Sequence, residues 1–256
     1  MVALFPVYLM VSASFKSRSD YVQSPLSLPT RPNLDGYRTV LNEQLVRWAA
    51  NSALLTFVAV VLTVVIAALA AWGFTRYSTS AGNAVLALIV ALMVIPPVVL
   101  LVPLFQLGSD IGWISTYRLV ILIYIGLMLP FTIFLLTSFF RTIPRSLLDA
   151  AMIDGASSLQ TFLRIVVPLA AAPLMTVVVI NTLWVWNELL IALVFLQDDN
   201  KKTLMVGLTG LHGRFTVNVP VIMAGLTVAT IPIAVLYLLG QRFFVRGLVA
   251  GALRGE

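Results

Sequence analysis

The chain has 256 residues, of which 60% are hydrophobic and only 10% charged, with a formal net charge of +6 and a mean hydropathy of +1.02. Charge at less than half the usual share cannot cover a water-soluble globule, so the sequence reads as an integral membrane protein. The absence of cysteine excludes disulfides, thiolate metal sites and a cysteine nucleophile. The single histidine, His212, excludes a His-rich metal site, and basic residues scattered over short loops argue against a nucleic-acid partner.

Crossing about 30 Å of hydrocarbon takes about 20 apolar residues. Residues 1–15 are apolar but short. No small-residue cleavage site follows, and Lys16, Ser17 and Arg18 come next, so the stretch is read as a first membrane helix with room for a missing beginning. Residues 16–47 are polar and contain prolines, which predicts an irregular loop with one short surface helix over 37–46. Residues 53–74 form an uninterrupted apolar span rich in Ala and Gly, small residues that let helices approach closely. The third span, 84–107, is interrupted by Pro96-Pro97 and by Pro103, which is tolerable only where the freed carbonyls find partners. Residues 119–140 are the fourth span, with Pro130 inside. The fifth runs over 169–196 and the sixth over 217–239, with a kink expected near Pro232. A polar loop separates the fifth from the sixth, and a Gly/Ala-rich tail ends the chain. The fold class is therefore an all-α polytopic membrane protein of one domain, 1–256, with six transmembrane helices.

Between the fourth and fifth spans, residues 141–168 (RTIPRSLLDAAMIDGASSLQTFLRIVVP) carry five charges. Pro144 suits the first turn of a helix, where its missing N–H is not needed. Residues 146–153 are good helix formers with an apolar stripe through Leu147, Ala150, Ala151 and Ile153. Asp154-Gly155 supplies the stop, since glycine takes the left-handed conformation without a Cβ clash. Ser157 and Gln160 restart the chain as a capping box. A helix–turn–helix kept outside the lipid points to docking of a partner. An interfacial amphipathic helix lying on lipid is the alternative, but it would carry several Lys or Arg on its polar face, whereas only Arg145 precedes the acidic pair here. Charge does not settle the orientation: with this segment in the cytoplasm, seven basic residues lie inside and nine outside, where the loops are longer.

The run Asp149, Ala150, Ala151, Asp154, Gly155, Ala156, Phe162 and Pro168 resembles the EAA loop of binding-protein-dependent ABC importer permeases, with Asp149 standing where Glu is usual. Asn51-Ser52, Ala70-Ala71, Arg76, Ile95-Pro96, Pro103-Leu104, Gly112, Thr116-Tyr117, Phe139-Phe140-Arg141, Ile143-Pro144, Trp186-Asn187-Glu188, Gly247-Leu248 and Ala250-Gly251-Ala252 follow the carbohydrate-type subfamily in order. From about residue 5 onward the chain is similar to the smaller, second permease of maltose-type importers. The resemblance implies a cytoplasmic coupling helix, with Arg145, Asp149, Ala150, Ala151, Asp154, Gly155, Ala156 and Phe162 as the ATPase-coupling residues.

It further implies a second permease subunit, two ATPase subunits that bind ATP and Mg, an extracytoplasmic substrate-binding protein and a multi-pass place in a bacterial or archaeal cell membrane. This chain itself holds no cofactor and no metal, and has no catalytic residue; it lacks a G-x-x-x-x-G-K-[ST] phosphate loop. The tail, 246–256, is expected to reach toward the ATPases or to be unordered. The loop 197–217 is either a binding-protein contact or a solvated connector.

Trp186, Asn187 and Glu188 are the candidates for the substrate pathway. An ionisable residue inside a span is a functional hypothesis by default. Aromatic faces with Asn and Glu suit a sugar; an interfacial aromatic belt with an inter-helix hydrogen bond is the other reading. Two rival functions stand beside the sugar importer. One is an ABC permease for another solute; the other is an ion-coupled secondary transporter, which needs mid-membrane ionisable groups.

Overall fold

In the computed structural model, described for residues 4–29, 31–211 and 218–252 with side chains up to Leu238, every regular element among the described residues is helical. In chain order these are α1 (Phe5–Ser14), α2 (Arg18–Gln23), α3 (Asp35–Val40), α4 (Glu43–Arg76), α5 (Ser80–Ala91), α6 (Leu101–Asp110), α7 (Tyr117–Phe140), α8 (Arg145–Ile153), α9 (Ser158–Thr161), α10 (Val167–Leu169), α11 (Ala171–Asn187), α12 (Leu190–Phe195), α13 (Leu204–Thr209) and α14 (Val219–Ala252). Among the described residues three helices are long and apolar enough to cross a membrane: α4, α7 and the Val219–Leu238 part of α14. The number rises to five if each of two bent helix pairs is one span.

The departures from the sequence reading have local causes. The ten residues of α1 reach about 15 Å at 1.5 Å per residue, half a bilayer core, so the described part of 1–15 does not cross. The surface helix expected over 37–46 is divided. Its first part is α3, and its second belongs to α4, which Asn42 starts by accepting the Leu45 N–H (2.9 Å). No breaker lies between Glu43 and the apolar span, so α4 runs for 34 residues, longer than the bilayer requires.

Lys16, counted as ordinary loop charge from the sequence, is buried. Its ammonium donates to the Ser24 carbonyl (2.6 Å) and the Pro25 carbonyl (3.2 Å), folding the loop around itself. The third span is not straight. Ser80–Val94 and Pro97–Asp110 meet at 92°, because Ile95 and Pro96, each followed by proline, are pushed into extended backbone. Pro103, by contrast, sits harmlessly in the first turn of α6.

The fifth span is also broken twice. Ser158–Leu169 meets α11 at 76°, with the break at Ala170, and α11 ends at Asn187 instead of running on to 196. The polar loop expected between the fifth and sixth spans contains α13, whose Leu204, Val206 and Leu208 are buried. Pro232 lies inside α14, which continues as helix to Ala252 where a tail was read.

The chain divides into two compact units. The first consists of Met1–Leu55, Gly108–Val120 and Trp186–Leu236. Its core gathers Val40, Leu45, Leu204, Leu208 and Ala229, with Trp48 and Trp186 packed against it. Gly207 packs closely there, since a Cβ would overlap the Trp48 ring and force it to move. The second unit consists of Thr56–Leu107, Ile121–Val185 and the chain from Tyr237 onward. Its core joins Ala67, Ala71 and Trp72 of α4 to Leu136 and Phe140 of α7 and Val166 and Val177 further on. Asn181, 3% exposed, donates to the Thr132 hydroxyl (3.0 Å), which itself donates to the Met128 carbonyl (2.8 Å), so this polar pair is satisfied inside the bundle.

Candidate functional site

The segment 141–168 folds as two short helices at a rigid corner. Pro144 takes the N-cap position immediately before α8, with extended backbone. The C-terminus of α8 closes as a Schellman motif: the Ala156 N–H donates to the Ala151 carbonyl (2.9 Å) and the Gly155 N–H to the Met152 carbonyl (3.0 Å). Gly155 makes this possible by adopting φ +79°, the left-handed region that side chains with a Cβ avoid. Ser157 and Gln160 then form the expected capping box. The Gln160 N–H reaches the Ser157 hydroxyl (3.3 Å), and the Ser157 N–H reaches the Gln160 side-chain carbonyl (2.8 Å).

The corner is anchored from below by aromatic packing. Phe162, 4% exposed, lies 6.1 Å from the Trp72 ring and 6.5 Å from the Phe140 ring, edge-on to the latter. The Trp72 indole N–H donates to the Ser158 hydroxyl (3.1 Å). A wide turn over Phe162–Val166, with Val166 buried, carries the chain from α9 into α10.

On α8 the buried positions are Leu148 and Ala151, three apart on one side. Of the predicted apolar stripe only Ala151 is buried; Leu147, Ala150 and Ile153 face outward, Ile153 with 86% of its surface exposed. Arg145, Asp149 and Asp154 are exposed beside them, Gly155 is exposed, and Ala156 is half-buried. The outward face thus combines small and large apolar groups with both signs of charge on a base that Phe162 holds in place.

Trp186, Asn187 and Glu188 lie at the end of α11 and the break that follows it. The Trp186 indole donates to the Ala229 carbonyl (3.3 Å) from within the core of the first unit. Asn187 ends α11 and is exposed. Glu188 is half-buried at the break, and its two carboxylate oxygens accept the Ile191 N–H (2.8 Å) and the Ala192 N–H (3.1 Å). It starts α12, which explains why α11 does not continue to 196.

Sequence reasoning noticed Asn51 and Ser52 only as a matching pair. The Asn51 amide donates to the Asn200 carbonyl (2.8 Å) and the Lys202 carbonyl (2.9 Å), and its oxygen accepts the Tyr117 hydroxyl (2.8 Å). Ser52 accepts the Leu204 N–H (2.8 Å). Together they dock the 198–204 turn on α4, so this part of the loop 197–217 is no loose connector. Within the turn, the Asn200 N–H on Asp198 (2.9 Å) and then the Lys201 ammonium hold the Asp198 carboxyl below the usual carboxylate range. His212 and the side chains of the tail 246–256 lie outside the described residues. Among the described residues no cluster of three or more His, Cys, Asp or Glu could hold a metal.

Residues 45–249 match the family model described as binding-protein-dependent transport system inner membrane component. The chain is 33% identical over 256 residues to the melibiose/raffinose/stachyose import permease protein MelC of Bacillus subtilis, covering 98% of this chain and 91% of that one. It is 32% identical over 262 residues to the trehalose/maltose transport system permease protein MalG of Thermococcus litoralis, covering 100% and 93%. Its fold matches a chain in the crystal structure of a bacterial ABC transporter involved in the import of the acidic polysaccharide alginate, with a TM-score of 0.82 over 95% of this chain and 91% of that one, at 23% identity. A chain whose described elements are all helical and several of them membrane-long, a family match over most of its length and relatives that are transport permeases leave one assignment: it belongs to the binding-protein-dependent transport system inner membrane components.

Proposed function

We propose that this chain is one of two permease subunits of an ATP-driven ABC importer for a sugar or sugar-like solute, and that α8 is its coupling helix. The observation that carries the proposal is the outward face of α8. Ile153, Leu147 and Ala150 offer apolar surface and Asp149 a charge, while Leu148, Ala151 and Phe162 fix the helix to the bundle beneath. An exposed apolar surface on a rigid mount is what a docking helix requires, and a disordered loop could not pass on movement.

Two ATPase subunits, one on this chain and one on the second permease, bind ATP and Mg. Their closure pulls the coupling helices together. Gly155 and the capping box carry that displacement through α9 into α11, and the pathway turns outward to receive solute from an extracytoplasmic binding protein. This orientation puts α8 in the cytoplasm of a bacterial or archaeal cell, with each of the two bent helix pairs counted as one span beside α4, α7 and α14. The sugar class is supported by MelC, a melibiose/raffinose/stachyose import permease, and MalG, a trehalose/maltose permease, relatives that align over nearly the whole chain. Glu188 is assigned to starting α12 and not to solute, and its use as a helix cap speaks against the proton or ion coupling of a secondary transporter.

The test is to purify the chain with whatever co-assembles from its own cell and to identify the ligand of the accompanying binding protein. Co-purification of an ATPase and a saccharide-loaded binding protein is expected. A complex without an ATPase would sink the coupling assignment, and a binding protein loaded with an amino acid or phosphodiester would sink the sugar assignment alone.

A further inference from the structure

Beside the N-terminal half of α8, within the second unit, lies a cavity of about 610 Å³ whose lining includes Arg76, Arg141, Arg145 and Asp149. Three guanidiniums against one carboxylate leave a local excess of two positive charges. Among the described residues none of the three arginines has a carboxylate within ion-pair distance. Two are instead held in place by neutral groups, Arg141 by the Asn83 side-chain carbonyl (2.8 Å) and Arg76 by the Met152 sulfur. Oriented but uncompensated cations gathered on one recess repel one another unless an anion joins them.

Position and size identify the anion. Arg76 is the last residue of α4, and Arg141 follows the last residue of α7, both helices long and apolar enough to span lipid. The cavity therefore opens where such helices leave the hydrocarbon, at the level of lipid headgroups. Its volume falls within the ~300–1,000 Å³ of small-molecule sites, far more room than one free phosphate needs. Arginine forks pair with phosphate oxygens two at a time, and basic pockets between membrane helices suit anionic headgroups.

We propose that this cavity binds the headgroup of an anionic phospholipid, with its phosphates on Arg76, Arg141 and Arg145. The proposal needs only that the chain is embedded in a membrane and does not depend on the coupling or sugar assignments. Because Arg145 belongs to α8, the bound lipid would brace the base of the hairpin.

The test uses the full chain purified with its co-assembling subunits, stripped of lipid and titrated with cardiolipin or phosphatidylcholine under native mass spectrometry. Cardiolipin is expected to bind at least about tenfold more tightly than phosphatidylcholine, with Arg76→Gln/Arg141→Gln erasing that preference and Arg76→Lys/Arg141→Lys retaining it. Independently of any variant, a headgroup-photoactivatable phosphatidylglycerol should label the wild-type chain within 76–83 and 141–149. The proposal is overturned if the two lipids bind alike, if the Gln pair keeps the preference, or if the label falls elsewhere. Displacement by millimolar inorganic phosphate would overturn it in favour of a free-anion site. Cardiolipin binding only after the ATPases are removed would overturn it in favour of an acidic side chain from a partner.

Discussion

The Trp72 indole N–H donates a 3.1 Å hydrogen bond to the hydroxyl of Ser158, tying the last turns of α4 to the first residue of α9 across 86 positions of sequence. The same indole ring lies 6.1 Å from Phe162, so one side chain fixes both the polar start and the apolar end of the second short helix. Trp72→Phe keeps most of the ring packing and removes the donor. A loss of about 0.5–1.5 kcal/mol is expected, read as a lowered apparent Tm of the solubilised complex. Trp72→Ala removes the packing as well and should cost about 3–5 kcal/mol. If the hairpin transmits ATPase movement, both variants should retain bound ATPase yet transport less solute per ATP hydrolysed.

Gly155 holds φ +79° at the corner. A Cβ there meets no neighbouring atom within 4 Å, so the expected cost of Gly155→Ala is purely one of backbone conformation, about 1–2 kcal/mol. Gly155→Pro cannot adopt a positive φ at all and also removes the N–H that closes the helix on Met152, so it should abolish transport while the chain still reaches the membrane. Uptake of labelled solute against membrane abundance separates the two effects.

Gly207 packs against the Trp48 ring inside the first unit. Gly207→Ala must displace that ring, with an expected loss of about 1–3 kcal/mol in thermal unfolding. Trp48→Leu should relieve the clash, so the double variant is expected to be less destabilised than the sum of its parts.

Asp198 titrates below the ordinary carboxylate range because the Asn200 N–H and then Lys201 favour its charged form. The contribution of its charge to the 198–202 turn is therefore complete above about pH 4, the usual Asp value, and is lost as the pH falls through the lowered value. Hydrogen-exchange protection of the turn, taken relative to the intrinsic rate at each pH, should stay flat as acid is added down to that point and fall below it. Asp198→Asn should show the faster exchange at neutral pH.

The hairpin was legible in the sequence because its determinants are local: Gly155 for a positive φ, and Ser157 with Gln160 for a cap three residues apart. What the sequence left open was decided by contacts from far along the chain. On α8 apolar residues occur on two adjoining rows, and periodicity alone cannot say that Leu148 faces inward and Leu147 outward; Phe140, Phe162 and Trp72 decide it. Pro96-Pro97 announced a break but not its 92°. The extension of α4 back to Glu43 has no signal except the lack of a breaker and the Asn42 cap. Glu188 stands out in the sequence as ionisable in an apolar run, but nothing there shows that its carboxylate also accepts the first N–H groups of α12. The arginine cavity was invisible as well, since Arg76 and Arg141 are 65 positions apart and read singly as ordinary residues at helix ends.

The central claim is that the outward face of α8 is where the ATPase sits. The sequence has no cysteine, so Ile153→Cys gives a single thiol on that face, at a side chain 86% exposed. In the assembled transporter, a short bifunctional reagent on this thiol should cross-link the chain to the ATPase subunit, and a water-soluble maleimide should label it far more slowly than in the ATPase-free chain. Val22→Cys, exposed on α2, should do neither. Free labelling of Ile153→Cys in the intact assembly, with no cross-link to an ATPase, would contradict the account.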